Sequence, residues 1–273
     1  MNLLPLALYI AAAIAYAAHF QRGDQQTGRL ATALLAGGAL AHTFAIGMKT
    51  MALGYAPIAG TTAAVSAFVW LLALAYLYIE ITTDERTIGA FIAPLVAALQ
   101  LIPALTPDAT EARSDVLRTP LFTLHVASML FAYASFALAC VIGITYVLLF
   151  KEIKGKDVGF FYRRLPPLAR LDVMNDRAVR IGWLFLTVGV AIGAVWAIRA
   201  RPAFPDPRVQ AMTIVDPKIL VALVCWAVYS FQLVARRFGF TGRRAALLSA
   251  VGFAIVLLNF VPVGYFLTRS HNF

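Results

Sequence analysis

Apolar segments of roughly 20 residues recur along the whole chain, and few folds can accommodate that pattern. A helix of this length spans the hydrocarbon core of a lipid bilayer. Hydrophobic residues make up 61% of the 273 residues and charged residues only 13%, whereas a soluble domain is about 25% charged. The sequence therefore predicts an all-α, polytopic membrane protein with about eight transmembrane helices, in which residues 1–273 form a single transmembrane domain.

The apolar pattern also predicts the helix positions, which are residues 3–20, 30–48, 63–81, 88–106, 121–150, 178–199, 218–236 and 245–268. The first segment has no basic residue before its apolar stretch, so we interpret it as a retained helix rather than a signal peptide. The basic connection 151–177 contains Pro166 and Pro167 and is compatible with a short interfacial helix. Gly189 and Gly193 have the G-x-x-x-G spacing that lets a neighbouring helix approach closely.

Basic residues predict the orientation of these helices, because short cytoplasmic connections are enriched in lysine and arginine. The odd-numbered connections hold fifteen of the 23 lysine and arginine residues, and the even-numbered connections with the C-terminal tail hold eight. Both termini are thus predicted on the non-cytoplasmic side. We expect a multi-pass protein of the bacterial inner (cytoplasmic) membrane, surrounded by the lipid bilayer.

Several function classes are excluded by residue content. Cys140 and Cys225 lie in apolar segments without C-x-x-C or zinc spacing, so neither a thiol oxidoreductase nor a c-type cytochrome is encoded. The net charge of +10 is the expected excess of basic loop residues, so no nucleic acid partner is predicted. The sequence shows no nucleophile with a base and no carboxylate pair inside the membrane, so no enzyme class is assigned and no residue is designated catalytic.

The four histidines are the natural candidates for chemistry within the membrane. The predicted orientation places His19 near the cytoplasmic end and His42, His125 and His271 in the outer half. His42 lies six residues inside the predicted end of its helix, or about 9 Å. Neutral imidazoles that converge on one side can ligate a metal or the iron of a haem. The alternative is that each is a hydrogen-bonded or interfacial histidine.

Aromatic and basic residues on the same predicted side are compatible with a porphyrin. Flat apolar walls could come from Trp196, Phe204, Trp226 and Tyr229. Partners for two propionates could come from Arg118, Arg199, Arg201, Lys218 and Arg269. An ordinary interfacial aromatic belt with basic flanks remains the alternative. Asp216 and Pro217 together have the pattern of a helix N-cap and first turn, and capping alone would account for both.

Sequence blocks in the second half of the chain occur in an order that is typical of one family. These are LHVASMLFAYASFALACVIGITYVLLFKEIK, LPPLARLD, GVAIGAVWA, VDPKILVALVCWAVY and GRRAALLSAVGF, with SHNF near the end. In this order they resemble the CcsA/HemX/YpjD group of cytochrome c assembly-type membrane proteins. The resemblance is clearest over residues 121–273, whereas the first four helices match only in being short, apolar and similarly arranged.

The resemblance implies a haem-handling protein, because CcsA-type members present haem at the outer face under a tryptophan-rich loop between two external histidines. By motif position these histidines are His125 and His271, the implied axial ligands of the haem iron. An intramembrane histidine in an early helix is also a family feature, with His42 as the counterpart. The implied cofactor is haem b, bound non-covalently, and the implied cofactor-binding residues are His125, His271, His42, Trp196, Asp216, Lys218 and Trp226.

The chain departs from the family pattern W-G-x-x-W-x-W-D-P-K-E in the tryptophan-rich loop. Only Asp216, Pro217 and Lys218 match, while Val215 stands at a tryptophan position and Ile219 at the glutamate. Val234 occupies the position of a second intramembrane histidine, eight residues after Trp226. The chain therefore resembles the HemX and YpjD branch more closely.

The implied function is haem binding at the outer face and participation in c-type cytochrome biogenesis. A CcsB/ResB-type partner with a large outer domain is implied as well, and it could dock on the small-residue face of the sixth helix. One alternative is a HemX/YpjD-like regulatory or scaffold protein of tetrapyrrole metabolism that does not ligate haem. Another is a small-solute transporter, against which the lack of intramembrane charge pairs and clear inverted repeats argues.

Overall fold

A computed structural model of the chain describes residues 3–58, 60–106, 118–156, 159–205, 207–210 and 216–258. These residues form helices and no strand, in the order α1 (Leu3–Arg22), α2 (Gln25–Leu53), α3 (Thr61–Thr83), α4 (Gly89–Leu105), α5 (Pro120–Gly155), α6 (Leu168–Ala203), α7 (Pro207–Gln210), α8 (Pro217–Arg236) and α9 (Arg243–Leu258). The all-α class is confirmed. Each predicted helix corresponds to one of these, and α7 is a single additional turn after α6.

Six of the helices are long and apolar enough to cross a membrane, namely α1, α2, α3, α5, α6 and α8. The apolar helix α4 is shorter, at 17 residues, and α9 comprises 16 residues up to Leu258. The protein is therefore a multi-pass membrane protein.

The first four helices form a bundle, which we call the α1–α4 bundle. Within it, α1 and α3 each pack against both α2 and α4. The fifth helix joins this bundle through α3 and packs along α6 and α9, and α8 lies against α6 and α9. Close backbone contact helps this packing: a Cβ at Gly143 of α5 would lie 2.6 Å from the carbonyl oxygen of Ala246 in α9.

Consecutive long helices run in opposite directions, which defines two ends of the molecule. One end contains the first residues of α1, α3, α5 and α8 and the last residues of α2, α4 and α6. We call it the His125 end, because His125 lies in the second turn of α5. The opposite end, where α8 finishes, is the Arg236 end. The predicted orientation makes the His125 end the outer one.

The start of α6 differs from the prediction. The helix begins at Leu168, directly after Pro167, and not near 178. The expectation of a separate interfacial helix in the 151–177 connection is therefore wrong, because residues 168–177 are the first turns of α6. Their polar side chains are paired with other helices: Arg236 of α8 donates to both carboxylate oxygens of Asp172, at 2.9 and 3.0 Å.

A second polar residue of this segment is fully inside the protein. Asn175 is 2% exposed, donates to the carbonyl of Ala139 at 2.8 Å, and accepts from the hydroxyl of Ser249 at 3.0 Å. These bonds join α6 to α5 and α9. Buried amides without such partners are costly, so the three helices stabilise one another at this position.

The tight turn between α1 and α2 is capped by Asp24. Its carboxylate accepts from the backbone N–H of Thr27 at 2.7 Å and begins α2 five residues before the predicted start. The hydrogen bonds from the backbone and side chain of Thr27 hold the pKa of Asp24 below its usual range. His19 lies beside this turn, with Nδ1 hydrogen-bonded to the carbonyl oxygen of Asp24 at 2.8 Å.

A buried carboxylate that the sequence analysis did not single out lies toward the Arg236 end of the α1–α4 bundle. Glu80 of α3 is 1% exposed and accepts from the Tyr16 hydroxyl at 2.5 Å and from the Thr32 hydroxyl. The guanidinium of Arg86 lies 3.8 Å away. Glu80 thus links α1, α2 and α3 to the turn before α4.

Replacing Glu80 by leucine is expected to destabilise the bundle, because the buried Tyr16 hydroxyl would lose its acceptor. An unsatisfied buried donor costs about 1–3 kcal/mol, and the loss of the ion pair with Arg86 adds to it. Glu80→Gln, which keeps an acceptor oxygen, should cost less. Thermal unfolding in detergent measures both. Asp84→Asn is the control, because that carboxylate also pairs with Arg86 but its side chain is 85% exposed, so its loss should cost little.

The orientation can be tested by cysteine labelling. Cysteines placed at Lys154, at the Arg236 end of α5, and at Phe204, directly after α6, should react differently with an impermeant thiol reagent in intact cells. Only Phe204→Cys is expected to be labelled, because the basic connections should face the cytoplasm. Labelling of Lys154→Cys alone would reverse the assignment of the two ends.

Candidate functional site

The side chain of His125 is hydrogen-bonded to the backbone of the neighbouring helix α6. Its Nδ1 lies 2.8 Å from the carbonyl oxygen of Gly189. A carbonyl oxygen can only accept, so Nδ1 carries the hydrogen and donates it. In the neutral imidazole the lone pair is then on Nε2. The backbone of α6 thereby selects the tautomer in which Nε2 can act as a metal ligand.

Two glycines on α6 make room for this arrangement. A Cβ at Gly193 would lie 2.6 Å from both Nδ1 and Cε1 of His125, and one at Gly189 would lie 3.0 Å from the sulfur of Met129. Both distances are shorter than ordinary contacts, so α5 fits here only because the two positions lack side chains. The predicted close approach at the G-x-x-x-G motif is confirmed.

The same contact bears on the expected partner surface. Gly189 and Gly193 face α5 of the same chain, where Met129 and His125 cover them. The small-residue face of α6 is thus filled within the protein, and the expectation that a partner docks on it is wrong. A partner protein would have to use another surface.

Trp196 lies one turn beyond Gly193 and forms part of an aromatic cluster at the His125 end. Its indole is 5% exposed, and its ring centroid is 5.2 Å from that of Phe122, which precedes His125 by three residues on α5. The indole N–H donates to the Thr119 hydroxyl at 3.0 Å. Phe122 and Trp196 therefore form an apolar surface on the turns next to His125, which Val209 of α7 also contacts.

Asp216 and Lys218 open α8 at the same end of the molecule. The Asp216 carboxylate accepts from the backbone N–H of Lys218 at 2.9 Å and caps the helix, with Pro217 in the first turn. The predicted N-cap is confirmed. This bond uses the backbone of Lys218, while its side chain is half-buried.

Trp226 is not part of the cluster around His125. Its indole N–H donates to the hydroxyl of Thr187 on α6 at 2.9 Å, and its ring lies 6.4 Å from that of Trp183. Thr187 and Gly189 are two residues apart, which is about 200° around a helix. Trp226 and His125 thus contact opposite faces of α6, and the structure does not bring them together.

His42 lies in the α1–α4 bundle and not beside His125. It is fully buried, and both ring nitrogens are hydrogen-bonded: Nδ1 to the Tyr9 hydroxyl at 3.2 Å and Nε2 to the Ser66 hydroxyl at 2.9 Å. The second helix ends at Leu53 rather than near 48, so His42 is eleven residues, or about 16 Å, from that end. It is deeper in its helix than the sequence indicated.

His19 and His271 are the other two histidines of the chain. His19 lies at the opposite end of α1 from the His125 end, in agreement with its predicted separation from the others. His271 lies outside the described residues. Within the described part of the chain, the predicted site residues that come together are therefore His125 and Trp196.

Sequence reasoning did not identify Phe122, Thr119 or Gly189 as parts of the site. Phe122 and His125 are three residues apart on one helix, so they share a face, and this spacing was available as a signal. The Gly189 carbonyl had no such signal, because any backbone oxygen of α6 was an equal candidate.

The chain is similar to known proteins over most of its length. A protein-family model described as Cytochrome C assembly protein matches residues 58–271, from the loop before α3 to His271. The chain belongs to the cytochrome c assembly protein family. The match begins well before residue 121, so the family resemblance extends across α3 and α4 as well.

Individual relatives are also similar to most of the chain. The chain is 29% identical over 239 residues to "Cytochrome c biogenesis protein CcsA" of Heterosigma akashiwo, covering 74% of this chain and 72% of the relative. It is 26% identical to the protein of that name from Guillardia theta, covering 85% and 81%. The similarly named protein of a Synechococcus strain is 24% identical, with 94% and 92% covered.

These similarities identify the family of the chain, and they are shared by its branches and by more than one type of membrane. They do not separate a CcsA branch from the HemX and YpjD branch. Because the relatives come from plastids as well as from a cyanobacterium, they support a multi-pass membrane protein without specifying the bacterial inner membrane.

The contact between Gly193 and His125 can be tested with alanine. Gly193→Ala is expected to push the imidazole away from α6 and lengthen its bond to the Gly189 carbonyl. Gly47→Ala in α2 is the matched control, because nothing lies within 4 Å of a Cβ there. Glycine to alanine in an open helix normally stabilises by about 0.5–1 kcal/mol. The melting temperature should therefore fall for Gly193→Ala and should not fall for Gly47→Ala.

Proposed function

We propose that this chain binds haem b non-covalently at the His125 end and takes part in c-type cytochrome biogenesis. The observation that carries the proposal is the hydrogen bond from Nδ1 of His125 to the Gly189 carbonyl. It leaves the lone pair of the neutral ring on Nε2, which is the state that an iron ligand requires. Haem would be the cargo of the protein, to be passed on to an apocytochrome.

The neighbouring residues fit such a ligand. Phe122 and Trp196 supply an apolar surface on the turns next to the imidazole, which suits the flat face of a porphyrin. Lys218 begins α8 at the same end and provides a cation of the type that pairs with a propionate. Trp226, on the other face of α6, has no direct part in this arrangement and supports the packing of α8 on α6.

His271 is proposed as the second axial ligand. Its position relative to His125 follows from the family pattern, and the family match reaches residue 271. Two imidazoles can hold iron without a covalent link to the ring, which allows the cargo to be released. The two residues would bind and orient the haem, and no bond to it would be made by this chain.

His42 is proposed as a separate haem-binding residue within the membrane. Its ring is fixed between the hydroxyls of Tyr9 and Ser66, so ligation there requires one of these two hydrogen bonds to break. The resident arrangement therefore favours His125 as the holding position. Haem at His42 would be a transient state.

Attachment of haem to a C-x-x-C-H segment is proposed to need a CcsB/ResB-type partner with a large outer domain. The two cysteines of this chain, Cys140 and Cys225, lie on α5 and α8 and are free thiols in separate helices. They do not form a pair at the His125 end that could keep an apocytochrome reduced. The partner would supply that chemistry.

Haem ligation can be tested by the visible spectrum of the protein purified with haem. With two imidazole ligands, the reduced protein is expected to show a low-spin b-type spectrum. His125→Ala or His271→Ala should convert it to a high-spin or haem-free form, because one strong-field ligand is removed.

The matched control for this experiment is His19→Ala, which should retain the wild-type spectrum because His19 lies at the opposite end of α1. A wild-type protein that is purified gently and remains colourless would contradict the haem proposal. That result would favour the regulatory or scaffold role in tetrapyrrole metabolism.

The role in cytochrome biogenesis can be tested by gene deletion. In a strain with no second family member, deletion should abolish covalent haem staining of membrane c-type cytochromes. Restoration by the wild-type gene but not by His125→Ala is expected. Unchanged c-type cytochromes in the deletion strain would contradict this role even if haem binds.

A further inference from the structure

Gln100 of α4 is a buried amide without a hydrogen-bond partner. Its side chain is 0% exposed, and neither its nitrogen nor its oxygen is hydrogen-bonded to another described residue. Within a membrane protein no bulk solvent reaches such a group through the lipid. Buried amides of this kind are normally satisfied by ordered water or by a ligand. Gln100 therefore indicates that something else occupies this part of the interior.

Gln100 lies at about the same depth as Tyr9 and Ser66. His42 is hydrogen-bonded to both of these and so shares their level, although α2 continues for eleven residues beyond it. Tyr9 is six residues from the start of α1, Ser66 is five from the start of α3, and Gln100 is five from the end of α4. All three distances are measured from the His125 end. At 1.5 Å per residue they correspond to roughly 7–9 Å.

Contacts deeper in the α1–α4 bundle give the same register. Phe91 of α4 packs on Phe20 of α1 with ring centroids 5.5 Å apart, and Gly89 contacts Tyr16. We count residues from each pair toward the His125 end. From the Phe91–Phe20 pair, Gln100 is about 3 Å farther from that end than Tyr9 is, and from the Gly89–Tyr16 pair it is about 6 Å nearer to that end than Tyr9. The two values bracket the depth of Tyr9.

The helix neighbours place these groups in one bundle interior. The fourth helix packs on α1 and α3, and the second helix packs on the same two. Tyr9, His42 and Gln100 are all fully buried. One polar group from each of the four helices, with Ser66 as the fourth, therefore lies in a single layer, which we call the Gln100 layer.

We infer that ordered water occupies the Gln100 layer and joins the amide of Gln100 to the hydrogen-bonded chain of Tyr9, His42 and Ser66. Each member of the layer can both donate and accept hydrogen bonds, which matches water. The buried charged residues of the described chain, Glu80 and Asp216, lie elsewhere, so an ionic ligand has no counter-charge there. The layer lies about 8 Å from the His125 end.

The inference does not depend on haem binding, because it follows from the unsatisfied amide and its depth. It describes the protein before any cargo is present.

The direct test measures the exchange of side-chain amide hydrogens with water, by nitrogen-15 NMR of the full chain in detergent or nanodiscs. The NH₂ group of Gln100 is expected to show an exchange cross-peak with water. Its resonance is assigned by its disappearance in Gln100→Leu. The internal control is Asn175, whose amide is 2% exposed and paired with Ala139 and Ser249, and which should show no such cross-peak.

The melting temperature provides a second test, which does not depend on assignment of the NMR resonances. In a hydrated layer, Gln100→Leu removes a partner of the water and should lower the melting temperature by several degrees. The effect of combining it with Tyr9→Phe should be smaller than the sum of the two, whereas combining it with Glu80→Gln, at the other end of the bundle, should be additive.

A dry amide predicts the opposite outcome. Leucine would then relieve an unsatisfied polar group and raise the melting temperature, with no coupling to Tyr9. A wild-type Gln100 amide as protected from water as that of Asn175 overturns the inference, whatever the melting temperature does.

Discussion

The contact between α5 and the glycine face of α6 positions His125 and the aromatic residues beside it. Without side chains at Gly189 and Gly193, the two helices approach closely enough for the His125 ring to lie on the α6 backbone. This proximity allows one carbonyl to select the imidazole tautomer. It also brings Phe122 and Trp196 together on the adjacent turns. A single packing feature thus connects the helix fold to the chemistry of the proposed ligand.

Polar side chains inside the protein are arranged by their distance from water. Charged residues are paired toward the Arg236 end, where Arg236 holds Asp172 and where Glu80 accepts from Tyr16. Toward the His125 end the buried groups of the α1–α4 bundle are neutral. This distribution fits the high cost of moving a charge into a bilayer and the lower cost of a neutral group that has partners.

The fold could be predicted from the sequence because the bilayer restricts both the length and the polarity of a crossing helix. Helix boundaries were less predictable where tertiary partners decide them. Asp172 and Asn175 have the character of loop residues until Arg236 and Ala139 are known to pair with them. The local sequence therefore did not show that the helix after Pro167 is continuous with α6. The N-cap at Asp216 was predictable, because capping depends only on neighbouring residues.

The site was predictable in part. Family pattern indicated His125, and glycine spacing indicated a close helix contact, but neither showed that the two coincide. Trp226 was grouped with Trp196 because the two flank the same outer connection. They separate because α6 faces α5 on one side and α8 on the other, which a linear pattern does not encode.

The length of α4 has a consequence for the surrounding lipid. Its 17 residues extend about 25 Å, whereas the hydrocarbon core of a typical bilayer is about 30 Å thick. Such hydrophobic mismatch is accommodated by local thinning of the bilayer, at a modest free energy per ångström. Thinning beside α4 draws the headgroup region toward the interior of the protein. We therefore expect the bilayer to be thinnest along the helix that carries Gln100, and we expect the stability of this protein to depend on lipid thickness.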